Sequence, residues 1–238
     1  MDDAAPRVTV VVPTYNERPN LEELAARVLA LGPDYALLVV DDGSPDGTGA
    51  LADALAAANP GRVSVLHRPR KEGIGPAYLA GFARALAAGT PLVAQMDADL
   101  SHDPADLPRL VGAAEGADLV VGSRYAPGGG TAGWSAWRRW LSRAGCAYAR
   151  AVLGVEVADL TGGFKVWRRP ALAGLDLGRI AADGYGFQIE TTTRALRTGA
   201  RVVEVPITFR ERVAGRSKLS RRIVGEAAVL VWRLRAEG

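Results

Sequence analysis

Cysteine is nearly absent from these 238 residues: Cys146 stands alone. That excludes an intramolecular disulfide framework and fits a reducing compartment. Long apolar runs are missing as well. The longest stretch without Asp, Glu, Lys or Arg runs from Tyr125 to Trp137, is Gly-rich, and falls well short of the ~18 apolar residues that span a bilayer. The Met1-Asp2-Asp3 start carries neither the basic nor the apolar region of a secretory signal. Excess charge of one sign is small, a net +3, and no nucleic-acid partner is expected. A cytoplasmic chain is expected, and at 48% hydrophobic residues it can bury one sizeable core.

What is present alternates in period. Val8 to Val12 is a continuous apolar strand, after which Leu21, Leu24, Ala25, Val28 and Leu29 repeat at helical spacing with Asn20 as the expected cap. Strands over Ala36 to Val40, Val63 to Leu66, Leu92 to Met96 and Leu119 to Val121 alternate with helices over about Thr48 to Ala58, Gly75 to Ala88 and Pro104 to Glu115. A further strand is expected over Val202 to Val205. Buried Val- and Leu-rich runs joined by helices predict an α/β fold with a mostly parallel sheet covered on both faces. Ligands then belong at the carboxyl ends of the strands. One domain is expected over 1–238, with 219–238 a basic amphipathic helix in which Arg221, Arg222, Arg233 and Arg235 surround Ile223, Val224, Leu230, Val231, Trp232 and Leu234. Such a helix can lie on an anionic membrane surface or pack on its own domain.

The most informative strand end is Asp97-Ala98-Asp99. With Ala98 turned to the other face, Asp97 and Asp99 converge on one hard divalent cation. Acidic residues after a strand also serve as turn formers or caps, but here the cap falls to Asp103, which Pro104 follows. At two other strand ends, Tyr15 offers a ring for stacking on a base, and Glu17 and Asp42 offer acceptors for base amino or ribose hydroxyl groups. Gly128, Gly130 and Gly133 match G-x-G-x-x-G but lie past their strand, without the acidic residue a dinucleotide site needs. They read instead as a mobile flap. Arg124, Arg138 and the Gly-containing loop from Arg212 to Lys218 supply cations suited to phosphate.

The ordered set Val11 to Glu17, Asp41 to Thr48, Gly73 to Tyr78, Met96 to His102, Gly122 to Tyr125, Asp159 to Phe164, Gly184 to Glu190 and Glu204 to Phe209, with Arg212 to Lys218, resembles the dolichol-phosphate (polyprenyl-monophosphate) mannosyltransferases of glycosyltransferase family 2, whose fold is GT-A. The resemblance implies inverting transfer of mannose from GDP-mannose to a polyprenyl phosphate in a membrane, with UDP-glucose as the alternative donor. It implies that Pro13, Tyr15, Glu17, Val40 and Asp42 hold the nucleoside. Asp97, Ala98 and Asp99 then hold the diphosphate with Mg²⁺ or Mn²⁺, and Ser101 stands where some relatives carry Gln. Arg124, Arg212 and Lys218 contact donor phosphate, and Arg124, Arg138, Ser142 and Lys218 the acceptor phosphate. Asp99 and Arg124 carry the catalytic roles.

Many bacterial relatives of that family continue into transmembrane helices. This chain is therefore expected to reach lipid peripherally, on the cytoplasmic face, through the flap tryptophans Trp134, Trp137 and Trp140 and the basic helix, or through a separate membrane-protein partner. A haloacid-type phosphatase is disfavoured because its Asp-x-Asp lies on the first strand, and a sugar-1-phosphate nucleotidyltransferase because no Gly-rich triphosphate loop stands near the N-terminus.

Overall fold

The computed structural model describes residues 7–211 and 221–237, the last helix with its side chains from residue 229 onward. Arg212 and Lys218 lie outside the described residues. In chain order the strands are β1 (Val8–Thr14), β2 (Tyr35–Asp41), β3 (Val63–His67), β4 (Leu92–Gln95), β5 (Leu119–Ser123), β6 (Gly130–Ala132), β7 (Lys165–Arg168), β8 (Val202–Pro206) and β9 (Thr208–Arg210). The helices are α1 (Arg18–Leu29), α2 (Thr48–Ala58), α3 (Ile74–Ala87), α4 (Leu107–Ala113), α5 (Ala136–Leu153), α6 (Arg169–Ala173), α7 (Gly184–Arg197) and α8 (Arg221–Glu237). Seven strands form one sheet in the order β3-β2-β1-β4-β7-β5-β8. All run parallel except β7, which inserts antiparallel between β4 and β5. The mostly parallel reading therefore holds.

Period-2 alternation sorts the strand residues onto two faces. Val8, Val10 and Val12 of β1 and Leu37 and Val39 of β2 pack with Leu21, Leu24 and Val28 of α1 and with Leu107 and Leu110 of α4. Val11, Leu38 and Val40 point the other way, onto Ala77, Tyr78 and Phe82 of α3 and Phe187 of α7. A smaller third cluster joins α5 and α8 through Ala149, Leu153, Val231 and Leu234. The chain thus builds a sheet with helices on both faces and adds a helical layer beyond one of them.

Three local expectations are corrected. Asn20 does not cap α1; the helix starts at Arg18 behind Glu17, and Asn20 Nδ2 donates back to Glu17 Oε2 at 2.9 Å. Pro19 explains the earlier start, because its fixed φ suits the first helical turn. The helix expected from Pro104 is split into a 3₁₀ turn, Pro104–Asp106, and α4. Asp103 does cap that turn, its carboxylate accepting from the Ala105 N–H at 3.1 Å, and Pro108 restarts the helix. The Gly128 to Gly133 flap is not a free loop, since Gly130–Ala132 pairs in parallel with Thr208–Arg210.

The sequence reading left α5, β7 and α7 unassigned. In α7 the run Gln188-Ile189-Glu190-Thr191-Thr192-Thr193 is buried although five of its six residues are polar, so no apolar stripe at helical spacing marks it as a helix.

Gly81 shows how closely α3 lies on the sheet. A methyl there would come within 3.0 Å of Val40 Cγ2 and closer still to Val11 Cγ1, two short side chains held by their strands. Gly81→Ala is expected to destabilise the protein by about 1–3 kcal/mol through overpacking. The check is a urea midpoint lowered at unchanged slope; an unchanged midpoint would show that α3 can lift off freely.

Candidate active site

The chain leaves β4 at Gln95, where its pairing with Lys165 ends, and turns sharply. Leu100 sits at φ +59, a left-handed conformation that costs a branched residue about 1–3 kcal/mol. The reversal brings Asp99 Oδ1 to the Ser101 N–H at 3.1 Å and His102 Nδ1 to the Asp97 N–H at 3.2 Å. The carboxylates therefore meet through a turn rather than through the alternating faces of a strand, which corrects the geometry expected from Ala98. Tyr78 OH donates to Asp97 Oδ1 at 3.2 Å. Burial and the neighbouring carboxylate hold that phenol well above its usual pKa. Burial also pulls the His102 imidazole below its usual pKa, so it stays neutral at physiological pH.

One cleft is lined by Pro13, Tyr15, Glu17, Asp42, Asp97, Ala98 and Asp99, from the ends of β1, β2 and β4, and by Lys71 from the segment between β3 and α3. Lys71 Nζ lies 4.0 Å from the centre of the Tyr15 ring, over one of its faces. Asp42 is paired with Arg68, whose other arm reaches Glu72 at 2.7 Å. Burial raises the Asp42 carboxyl above its ordinary pKa although Arg68 opposes it. Val40 departs from expectation. It is fully buried and packs on α3 beneath the cleft, because at its position in β2 the side chain points to the α3 face.

A second cavity of about 250 Å³ adjoins the first and shares Lys71, Gly73, Ile74 and Asp97 with it. Its wall adds Arg124, Trp134, Arg138, Thr161, Asp183 and Gln188. Arg124 does not wait as a free cation. Its Nε and Nη2 donate to the two Asp159 oxygens at 2.7 and 2.6 Å, and Nη2 also reaches Thr161 Oγ1 at 2.7 Å. The pair is buried, which fixes both charges: Asp159 is held below the usual carboxylate range by Arg124, and Arg124 above its own ordinary value by Asp159. Nη1 has no hydrogen-bond partner among the described residues, and Arg124 lines the cavity wall. Arg138 bonds Glu211 Oε1 at 2.7 Å and lies 4.1 Å from the Trp134 ring centre. Ser142 Oγ is already engaged, accepting from Tyr125 OH at 2.6 Å.

Among the described residues no group of three His, Cys, Asp or Glu side chains could hold a metal unaided. The carboxylates of Asp97 and Asp99 border the cleft, and Ser101 Oγ beyond them is buried without a hydrogen-bond partner among the described residues. This all-oxygen set fits a hard divalent cation whose remaining positions go to water and phosphate oxygens, the usual way Mg²⁺ is held. Sequence reasoning missed Asp159, Lys71, Asp183 and His102. Asp159 stood within a matched segment, but nothing in the sequence showed that it holds Arg124.

The fold is that of a glycosyltransferase: residues 9–175 match the model for glycosyl transferase family 2, and the chain belongs to that family. It is 51% identical over 233 residues to a polyprenol monophosphomannose synthase of Mycolicibacterium smegmatis, a match covering 96% of this chain and 88% of the relative. It is 49% identical over 227 residues to an undecaprenyl-phosphate mannosyltransferase of Micrococcus luteus, covering 95% and 93%. Among solved structures, glucosyl-3-phosphoglycerate synthase from Mycobacterium tuberculosis with Mn²⁺, UDP and glucosyl-3-phosphoglycerate superposes with TM-score 0.67 at 22% identity, over 98% of this chain and 81% of that one. The same enzyme with Mg²⁺ and UDP gives 0.68 at 23%, over 98% and 81%. The shared fold is GT-A.

Asp159→Asn leaves Arg124 charged and unpaired in the interior, and a loss of about 3–5 kcal/mol is expected at neutral pH. Because the native carboxyl titrates below its unfolded value, the pair's contribution is present above the unfolded pKa and is lost as pH falls through the depressed native one. Urea unfolding of both proteins from pH 7 down to pH 3 checks this. A gap that stayed constant below pH 4 would contradict it.

Proposed function

We propose that this chain transfers mannose from GDP-mannose to a polyprenyl monophosphate, with inversion to a β-linked lipid product. The observation that carries the reading is the continuity of the two cavities through Asp97. It gives a nucleotide one side of the carboxylate turn and an acceptor phosphate the other. The names of the two relatives that match nearly the whole chain support mannosyl transfer and a polyprenyl acceptor. We read the chain as one catalytic domain.

In this reading Pro13, Tyr15, Glu17 and Asp42 border the base and ribose, and Asp97 and Asp99 hold Mg²⁺ or Mn²⁺ against the diphosphate. When bound, the cation supplies Lewis-acid neutralisation of the leaving GDP. The chain's own contribution is placement. A phosphate monoester, with its second pKa near ~6, is already largely dianionic at neutral pH, and no general base is needed. Its oxygen attacks the anomeric carbon, and the bond from that carbon to the GDP β-phosphate oxygen breaks with its electron pair leaving on GDP. Arg124, with Nη1 presented by the Asp159 clamp, and Arg138 hold the attacking anion beside a second anion that would otherwise repel it.

No helix among the described residues is long and apolar enough to cross a membrane. We infer peripheral docking on the cytoplasmic face through the start of α5 and through α8. Trp137 and Trp140 are 66% and 58% exposed and stacked at 4.8 Å, and Trp232 is 60% exposed. Aromatic and cationic groups of this kind suit an anionic interface. Trp134 is not part of that surface, since it is buried against Phe209 and Arg138.

The direct test is incubation with GDP-mannose or UDP-glucose, a divalent cation and polyprenyl phosphate. Lipid-linked mannose and released GDP are expected, and turnover should fall by about 100-fold or more in Asp99→Asn with its melting temperature preserved. Near-wild-type turnover of that variant at saturating Mn²⁺ would remove the metal role. For the membrane, anionic liposomes are expected to sediment the wild-type chain at low salt and to lose most of it on Trp137→Ala with Trp140→Ala. Failure of the wild type to sediment would instead point to a separate membrane-protein partner.

A further inference from the structure

The second cavity holds two hydrogen-bond donors whose polarity the interior has already decided. Trp167 Nε1–H can only donate, and it does so to Gln95 Oε1 at 3.1 Å. Gln95 must then offer its Nε2, which donates to Gln188 Oε1 at 2.9 Å. Gln188 is left with its own Nε2 turned the other way, into the cavity wall, without a hydrogen-bond partner among the described residues. His102 is fixed in the same manner. Its Nδ1 accepts from the Asp97 N–H, so Nε2 carries the proton. The ring is held by stacking on Phe164 at 5.0 Å and by the edge contact with Phe209 at 5.3 Å.

Gln188 Nε2 and the Cε1 edge of the His102 ring border the space beside Gly163. A methyl built on Gly163 would lie 3.4 Å from Gln188 Nε2, 3.6 Å from His102 Cε1 and 3.7 Å from Asp97 Oδ1. The missing side chain thus lets a ligand approach the backbone at a niche lined by the Gln188 amide donor, the His102 ring edge and the Asp97 carboxylate. Water could occupy it in the free protein, but the polarity of all three walls is set before any ligand arrives, and that is the condition for selecting a hydroxyl.

We propose that the Gly163 niche reads one ring hydroxyl of the transferred hexose. The hydroxyl oxygen accepts from Gln188 Nε2–H and His102 Nε2–H, and its proton is donated to Asp97 Oδ1. This rests on the proposed function, because it requires a hexose in the second cavity. It adds to that reading a set of residues that decides which hexose is accepted.

Gly163→Ala is the sharpest probe. The added methyl meets its neighbours at ordinary contact distances and Gly163 needs no left-handed backbone, so the fold is expected to survive while the niche is filled. Gln188→Glu is the second variant, keeping an oxygen toward Gln95 and replacing the cavity donor with an acceptor. Titration calorimetry with GDP and with GDP-mannose in Mg²⁺ is expected to show GDP affinity within about twofold of wild type for both variants. GDP-mannose affinity should be weakened about tenfold or more, the scale of lost hydrogen bonds to a hydroxyl.

In transfer assays with singly deoxygenated GDP-mannose donors, one donor should lose at least about tenfold in kcat/KM on the wild type. It should lose less than about twofold on Gly163→Ala, because that hydroxyl no longer has its site. Equal weakening of GDP and GDP-mannose, or deoxy donors that lose as much on the variant as on the wild type, would overturn the inference and leave the proposed function standing. A wild type that turns over UDP-glucose alone would overturn the donor assignment, and deoxyglucose donors then decide the niche by the same comparison. A wild type inactive with both donors would overturn the proposed function and this inference together.

Discussion

One buried carboxylate, Asp159, ties together the half of the cleft that the sheet alone does not build. Its oxygens take the Nε and Nη2 of Arg124 and the Arg124 backbone N–H at the end of β5. Cys146 of α5 lies against it. Glu204 of β8 accepts from the Asp159 and Ala158 N–H groups at 2.9 and 2.7 Å and so holds the segment that carries it. A buried ion pair of this kind adds little net stability, because desolvation offsets its attraction. What it secures is orientation: a guanidinium anchored on two sides has one corner left to present. The second cavity depends on that anchoring, since an unpaired Arg124 would stay charged and be driven from its buried position.

The carboxylate turn is the complementary constraint. Asp97 and Asp99 stand where the ladder between β4 and β7 stops, and the left-handed Leu100 folds the following residues back under them. Local strain of this size is tolerated because the turn is bonded on both sides, through Asp99 to the Ser101 N–H and through His102 to the Asp97 N–H. The same turn borders both cavities through Asp97, so in the proposed transfer the leaving and attacking groups meet at one feature.

Polar groups also run through the interior behind the site. Lys165 of β7 is fully buried, donates to the Gln188 carbonyl and to Thr191 Oγ1 at 3.0 and 3.3 Å, and is pulled by burial down to a pKa of about 7. Gln95, Gln188 and Trp167 continue this network on either side of it. Such a network has its hydrogen-bond directions assigned by the members that can only donate, and a site built on it inherits a fixed polarity.

The parallel half of the protein was legible because its signals are local. Val8 to Val12, Ala36 to Val40 and Leu92 to Met96 are largely apolar runs long enough to declare buried strands, and Asp103-Pro104 and Asp97-x-Asp99 carry their chemistry in adjacent residues. Less legible were α7, whose buried run is mostly polar and so shows no apolar stripe, and β7, a short strand that takes its place only by pairing with β4 and β5. Arg124 was expected at the cleft and lines the second cavity, yet its partner stands 35 positions away and no spacing rule joins them. Val40 was carried to the nucleotide side by resemblance, while the pleat of β2 points it into the α3 face.

By itself, then, the sequence determined the period of the elements, the strand ends at which the polar side chains collect and the all-oxygen character of the carboxylate turn. Those depend on side chains a few residues apart along one strand or turn. Tertiary structure decided which cations are clamped, which tryptophans are exposed and which way each buried amide and imidazole points. Those depend on what packs against a group from a distant part of the chain, and hydrogen-bond polarity passes through space rather than along the backbone.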